Sequence, residues 1–521
     1  MADDRSRPAG RFAWHPEPEL LDFGDPSARP ALERLGAEAW ATALDYLYDY
    51  ALVRAMGEPT GYAELRQAFF GASGEPTTAP VEPTDSVALL EEFRARVAPH
   101  QLNAYHPRTL SYFTPAPLLM SVVGELLAQV TQQGVDVWHA GPSATFVEEE
   151  VIRWLCDLVG YESNSFGLLT SGGVMANFLA MALARDVHLA RVRGVERPPR
   201  GAALDGVRVY TSDQTHFSIG RALDELGFPS ETLVVLPTDD RFRLHAAPVR
   251  EAIDRDRAAG LTPLAIAAVA GSTNTGSVDR IEDLADLADD EGLWFHVDAA
   301  YGAAARLSSR DAGRVPALDR ADSVTVDPHK WFYQAYDIGG LVVRDGAILE
   351  RTFGGRRPEY YRGGEAPATN ETDEDHDAPG QLNFYKLGFE GTRRWRALKL
   401  WMSWKHVGTS GFGRLIEANI DLAAHLAQIC GESDDFEALP AAPELSVVCF
   451  RHLRRGLDRR DLDDHQDRLQ GALEASGEGW LSTTRLRGAT WLRAGIVNTH
   501  TTEADIDGLV ATLRRLAASL A

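Results

Sequence analysis

Apolar positions along this chain change their rhythm at about residue 115. Before that point, Leu35 to Met56 and Ser86 to Val97 carry apolar residues at helical spacing between Pro/Gly-rich stretches. Residues 1–105 gather no catalytic cluster and read as an N-terminal helical arm. Further on, Thr145-Phe-Val-Glu148 gives a capping-box pattern ahead of Val147, Val151, Trp154, Leu155 and Leu158, which predicts a helix packed on one face. Short apolar runs then alternate with helical segments: Val207–Tyr210, Thr232–Leu236, Leu264–Ala270, Leu293–Val297, Ser323–Val326 and Gly340–Val343. Such alternation means βαβ units and an α/β fold with a mainly parallel sheet under helices. Ligands of open α/β sheets lie beyond the carboxyl ends of the strands, so functional residues are expected there.

Residues 354–380 interrupt the alternation with Gly354-Gly355, Gly363-Gly364, Pro367, Pro379 and the acidic run Glu371 to Asp377, and read as a solvated loop. An Arg/Trp-rich helix from about Thr392 to Val407 follows. Apolar runs at Leu445–Phe450 and Thr490–Val497 and a last helix from about 503 then complete a smaller α+β domain. The expected organisation is an arm (1–105), a large domain (106–390) and a small C-terminal domain (391–521).

The 521 residues are enough for a sizeable core, and no stretch approaches the roughly 20 uninterrupted apolar residues of a membrane-spanning helix. The chain opens Met1-Ala-Asp-Asp-Arg-Ser-Arg-Pro8 without the basic and apolar run of a secretory signal, so the cytoplasm is expected. Cys156, Cys430 and Cys449 have no ligand-like spacing and indicate neither a disulfide framework nor a metal site. A formal charge of −24 argues against nucleic acid or an anionic membrane as partner. Lysine is scarce: only Lys330, Lys386, Lys399 and Lys405 can supply a primary amine.

That scarcity gives weight to Ser323-Val-Thr-Val-Asp327-Pro-His329-Lys330-Trp331, an apolar strand ending in a turn with a carboxylate, an imidazole and an amine. An amine at a strand exit can form a Schiff base with an aldehyde cofactor. Most lysines are surface residues on loops. Lys330 instead has titratable neighbours at the end of a buried-type strand, whereas Lys399 and Lys405 lie among arginines and read as solvated, leaving Lys386 as a rival.

Leu293-Trp-Phe-His-Val-Asp298-Ala-Ala-Tyr301 delivers Asp298 at another strand end. An aspartate in that position is more often a helix cap. Beneath the ring nitrogen of pyridoxal phosphate (PLP), however, it keeps the nitrogen protonated and the ring an electron sink. Leu168-Leu-Thr-Ser171-Gly172-Gly173-Val174-Met-Ala-Asn177 reads as strand, glycine turn and helix, whose first amides suit a phosphate. It is neither a dinucleotide fingerprint nor a P-loop. Thr211-Ser-Asp-Gln-Thr-His216 and Gly271-Ser-Thr273-Asn-Thr-Gly276 leave two more strands with an imidazole and clustered hydroxyls. Each alone reads as a satisfied loop; together they fall at one sheet edge.

With Asp213-Gln-Thr-His216, His296-Val-Asp-Ala-Ala-Tyr301, Asp327-Pro-His-Lys330-Trp and Gly391-Thr-Arg-Arg394, the chain resembles the group II PLP-dependent decarboxylases, the family of aromatic-L-amino-acid and glutamate decarboxylases, from about His106 to Arg451. The resemblance implies PLP fold type I, the aspartate-aminotransferase-like fold, and a homodimer with active sites at the subunit interface. It implies Lys330 as the cofactor-bearing lysine, His216 stacked on the ring, Asp298 at the ring nitrogen and Thr273 at the ring hydroxyl. The phosphate falls to Gly172, Gly173 and Val174, with Asp327 or His329 helping, and Ala300 lies beside the cofactor. Many members carry a hydroxyl residue where this chain has Val174. Arg357-Pro-Glu-Tyr360-Tyr-Arg matches a lid segment whose tyrosine protonates the carbanion, which makes Tyr360 the candidate and Tyr361 the next.

The expected reaction is decarboxylation of an L-amino acid to the amine and CO₂. Tyr112-Phe113 suits an aromatic or large apolar side chain, or else belongs to the core. The alternatives are oxidative decarboxylation to an aldehyde, transamination or a lyase reaction on the same scaffold, and a non-catalytic degenerate scaffold. The joint presence of Lys330, Asp298 and His216 counts against the last.

Overall fold

The computed structural model describes residues 26–58, 61–76, 78–196, 198–355, 381–454, 456 and 458–520. Two compact units are present among them, one within residues 1–109 and 474–479, the other within 110–473 and 480–521. The first is helical, with α-helices at Arg29–Tyr46, Tyr62–Phe70 and Ser86–Glu92. Asp85 starts the last of these by accepting from the Val87 and Ala88 amides, and Asn103 donates to the Arg54 carbonyl at 2.7 Å.

A seven-stranded sheet organises the second unit: β1 (Phe166–Thr170), β2 (Val207–Ser212), β3 (Leu233–Leu236), β4 (Thr262–Val269), β5 (Trp294–Asp298), β6 (Ser323–Val326) and β7 (Gly339–Val343). Their spatial order is β1-β7-β6-β5-β4-β2-β3. Only β7 runs against its neighbours, so β1 to β6 all point one way and their carboxyl ends share one edge. β4 and β5 are buried on both faces, as parallel strands covered by helices are. A smaller antiparallel sheet, β8 (Phe436–Ala438), β9 (Val447–His452), β10 (Ser482–Leu486) and β11 (Ala489–Gly495), packs around its own apolar cluster, including Leu426, Phe450, Leu473 and Leu509. Among the described residues, no helix is long and apolar enough to cross a membrane.

Two expectations are corrected. The Thr145–Glu148 capping box does not form, because Pro142 starts the helix Pro142–Val159 a turn earlier. Thr145 instead donates to the Gly141 carbonyl. Glu148 points inward and pairs with Arg393 at 2.5 Å, both side chains being fully buried. Lys399 is not solvated: it lies on the inner face of the helix Ala397–Glu432, forms an ion pair with Glu125 (2.9 Å) and donates to the Asp337 carbonyl (3.0 Å). Arginines around it had suggested a wet face, but Arg393 and Arg396 are themselves buried.

Arg393 is a three-way tie. It donates to the carbonyls of Val135 and Leu169 as well as to Glu148, and its guanidinium lies 4.8 Å from the centre of the Phe384 ring. It thereby fastens the end of β1, just before the glycine turn, to the chain that follows residue 380. Removing one member of a buried pair leaves the other charge uncompensated. Arg393→Met is therefore expected to lower unfolding free energy by about 3–5 kcal/mol in urea titrations; a loss under about 1 kcal/mol would show that the pair is not structural.

Candidate active site

The shared edge of the parallel strands opens into a cavity of about 490 Å³. The turn after β1 supplies Ser171, Gly172, Gly173 and Val174; that after β2, His216 and Phe217; that after β4, Gly271 and Thr273. The turn after β5 supplies Asp298, Ala300 and Tyr301, and the one after β6, Asp327, His329, Lys330 and Tyr336. Residues spread over 166 positions in sequence (171 to 336) meet here because a parallel sheet returns every strand end to the same edge.

At the first turn, the helix Gly173–Leu183 leaves the amides of its opening residues without intrahelical acceptors. Glycine is required by crowding. A Cβ on Gly173 would stand 2.8 Å from Asp327 Oδ2, and one on Gly339 would stand 2.6 Å from Asp327 Oδ1 and 2.4 Å from the Gly172 Cα. Asp327 is buried and bonds Lys330 Nζ at 3.1 Å, while its Oδ1 has no partner among the described residues. An unpartnered buried oxygen beside free amides marks a place built for a further group.

Asp298 is buried and doubly held, Oδ1 by the Ala300 amide (3.1 Å) and Oδ2 by the Asn177 side chain (2.7 Å). Its aim is fixed. His216 bonds Ser218 through Nδ1 (2.8 Å), and burial lowers its pKa, against the nearby Asp298 carboxylate which raises it. His329 donates from Nδ1 to the Ile338 carbonyl (2.6 Å), which leaves Nε2 facing Asp327 at 3.8 Å; burial depresses its pKa too. Both rings are thus biased towards the neutral form. His296, wholly buried in β5, is depressed by the same cause to about 4.

Tyr112 and Phe113 do not line this cavity with the others. Phe113 is buried in a stack, 4.1 Å from Tyr301, which in turn lies 4.7 Å from Trp331, behind Lys330. Tyr112 is 61% exposed and meets the edge of Trp480. The chain bends through residues 111–113, so one ring enters the core and the other leaves it. Tyr360 and Tyr361 lie outside the described residues.

Four contributors went unread in the sequence. Asn177 is the polar residue of an otherwise apolar helix, GVMANFLAMAL, and that was its signal. Arg493 likewise interrupts the apolar β11; it is buried, covers Phe113 at 4.8 Å and donates to the Thr273 carbonyl at 2.7 Å. Tyr336 bonds Thr114 through its hydroxyl (3.0 Å) and packs on His329, and Ser218 bonds His216. Nothing local in the sequence distinguishes these two.

The cavity therefore offers anion-binding amides at one end, a fixed carboxylate, an imidazole beside it and an amine, the donor set that PLP requires. Comparison with known proteins agrees. The pyridoxal-dependent decarboxylase conserved domain matches residues 71–453. An aromatic-L-amino-acid decarboxylase of Bacillus atrophaeus is 33% identical over 84% of this chain and 87% of its own length. A phenylacetaldehyde synthase of Arabidopsis thaliana is 30% identical over 81% of this chain and 84% of its own. In fold, the crystal structure of Oryza sativa TDC with PLP and tryptamine superposes with a TM-score of 0.84 at 23% identity, covering 95% of this chain and 99% of that one. The chain belongs to the pyridoxal-dependent decarboxylase family and is a PLP-dependent amino acid decarboxylase.

Proposed function

We propose that the substrate is an L-amino acid with an aromatic or large apolar side chain, released as the amine and CO₂, and that Lys330 is the lysine that carries the cofactor. The observation that carries this reading is the meeting of Lys330, Asp298, His216 and the Gly172-Gly173 turn in one cavity. When bound, PLP supplies an aldehyde for the substrate amine and a ring that takes up the electron pair left as the Cα–carboxylate bond breaks.

Each residue then has a bounded task. Amides of Gly172, Gly173 and Val174 bind the phosphate, the valine through its backbone alone. Asp298, aimed by its two donors, would face the pyridine nitrogen and favour a proton there. His216 and Thr273, which line the same cavity, would hold the ring by stacking and by a hydrogen bond to its hydroxyl. Lys330 would carry the cofactor, and Asp327, whose carboxylate lies 3.1 Å from its Nζ, would hold the side chain at the strand exit. Tyr360, with Tyr361 next, is the candidate for returning a proton to Cα.

Support for an aromatic substrate comes from Phe217 and Tyr336, both lining the cavity with more than half their surface exposed, and from the activity named for the Bacillus relative. The same open aromatic mouth supports a homodimer. So does the exposed apolar stripe Leu119, Leu126 and Val130 on the helix Leu119–Thr131. Three buried, unpaired cysteines suit the cytoplasm. The separate sheet and apolar cluster of β8 to β11 support a small C-terminal domain within 391–521. The Arabidopsis relative keeps aldehyde formation as the second reading.

Aerobic incubation of the PLP-loaded protein with an amino acid panel separates the two. Equimolar amine and CO₂ without peroxide, abolished in Lys330→Ala, is expected; aldehyde with stoichiometric peroxide would favour the second reading. Asp298→Asn is expected to lower kcat roughly 10²- to 10³-fold in the same assay, since it removes a charge aimed at the reacting system. Turnover within a factor of two of the parent would place the ring nitrogen elsewhere.

A further inference from the structure

Asn177 has no role in the reaction as set out above, yet its side chain is almost wholly buried and uses its full bonding capacity. Oδ1 accepts from Thr325 Oγ1 (2.6 Å) and faces His296 Nε2 (3.0 Å), while Nδ2 donates to Asp298 Oδ2 (2.7 Å) and Ser218 Oγ (2.8 Å). A carboxylate only accepts, so the amide has one permitted orientation: Nδ2 towards Asp298 and Oδ1 towards His296.

The consequences spread to two histidines. Since Oδ1 only accepts, His296 carries its proton on Nε2, and its Nδ1 takes the Ser323 hydroxyl proton at 2.9 Å. Ser323 in turn accepts from Trp294 Nε1 at 3.1 Å. On the other branch, Ser218 Oγ accepts the Asn177 N–H and directs its own proton to His216 Nδ1 (2.8 Å), which the Ser218 amide also addresses at 3.4 Å. With Nδ1 an acceptor, the His216 proton resides on Nε2.

We propose that Asn177 is a positioning residue that sets, through one amide, both the aim of the Asp298 carboxylate and the tautomer of His216. This rests on the reading that Asp298 and His216 address the cofactor. No change at Asn177 alone can serve both partners: a shortened side chain releases them, and an acidic one reverses a bond. In Asn177→Asp the new carboxylate confronts Asp298 and draws the Ser218 proton, so His216 Nδ1 loses its donor.

The test is ring ¹⁵N spectroscopy of full-length, histidine-labelled protein with and without PLP, with His216→Gln and His296→Gln to assign signals. Both rings are expected as single Nε2–H tautomers in the parent. Asn177→Asp is expected to shift His216 towards Nδ1–H and to weaken PLP binding, read by absorbance titration, roughly tenfold to a hundredfold, because a buried charged group loses a donor. If that variant fails to fold, Ser218→Ala breaks the His216 branch alone, moving the His216 signals and leaving those of His296. A His216 proton on Nδ1 in the parent, or unchanged tautomers with PLP affinity within twofold in a folded variant, would overturn the proposal. Asp298→Asn separates the two levels: unaltered PLP binding there defeats the reading of the site, whereas the parent tautomers judge Asn177 independently.

Discussion

A carboxylate taken out of water at the end of a buried strand must be held by donors, and the way Asp298 is held sets much of the site around it. Its two oxygens are bound by the Ala300 amide and the Asn177 side chain, so the group has one orientation and neither oxygen is left without a donor. Asn177 sits on the helix that the glycine turn begins, which ties the glycine-turn end of the cavity to the carboxylate. The arrangement is possible because β1 and β5 run parallel and end at the same edge.

Behind the cavity stands a column of flat groups: Arg493 over Phe113, Phe113 over Tyr301, Tyr301 over Trp331. Trp331 is anchored by its indole N–H to Asn419 at 3.0 Å, and Tyr301 by the Ser446 amide to its hydroxyl at 2.8 Å. The column supports the turns carrying Thr273, Asp298 and Lys330 from one side, and couples them to β11 of the small sheet. Packing of this kind resists displacement of any one turn, since stacked rings cannot shift singly without opening voids.

Much of this was legible in the chain. The strands announce themselves as apolar runs because buried parallel strands have no wet face, and Lys330 stands out because lysine is scarce and this one ends such a strand. What failed were inferences from local company. Lys399 looked solvated among arginines, and Glu148 looked like a cap after Thr145. Both are buried partners of groups more than a hundred positions away or on another helix, and long-range pairing leaves no local mark. Phe113 and Tyr112 are adjacent in sequence but opposite in environment, which only the course of the segment decides. Asn177 and Arg493 were readable as polar interruptions of apolar elements, a signal that points to a buried partner without naming it.

Of the four lysines in the chain, Lys330 is the one proposed to hold the cofactor. Borohydride reduction of the PLP-loaded protein, followed by proteolysis and peptide mass spectrometry, tests it directly. The expected result is one phosphopyridoxyl group per chain, on the peptide containing Asp327-Pro-His-Lys330-Trp. Label on Lys386, Lys399 or Lys405 instead, with Lys330 unmodified, would contradict it.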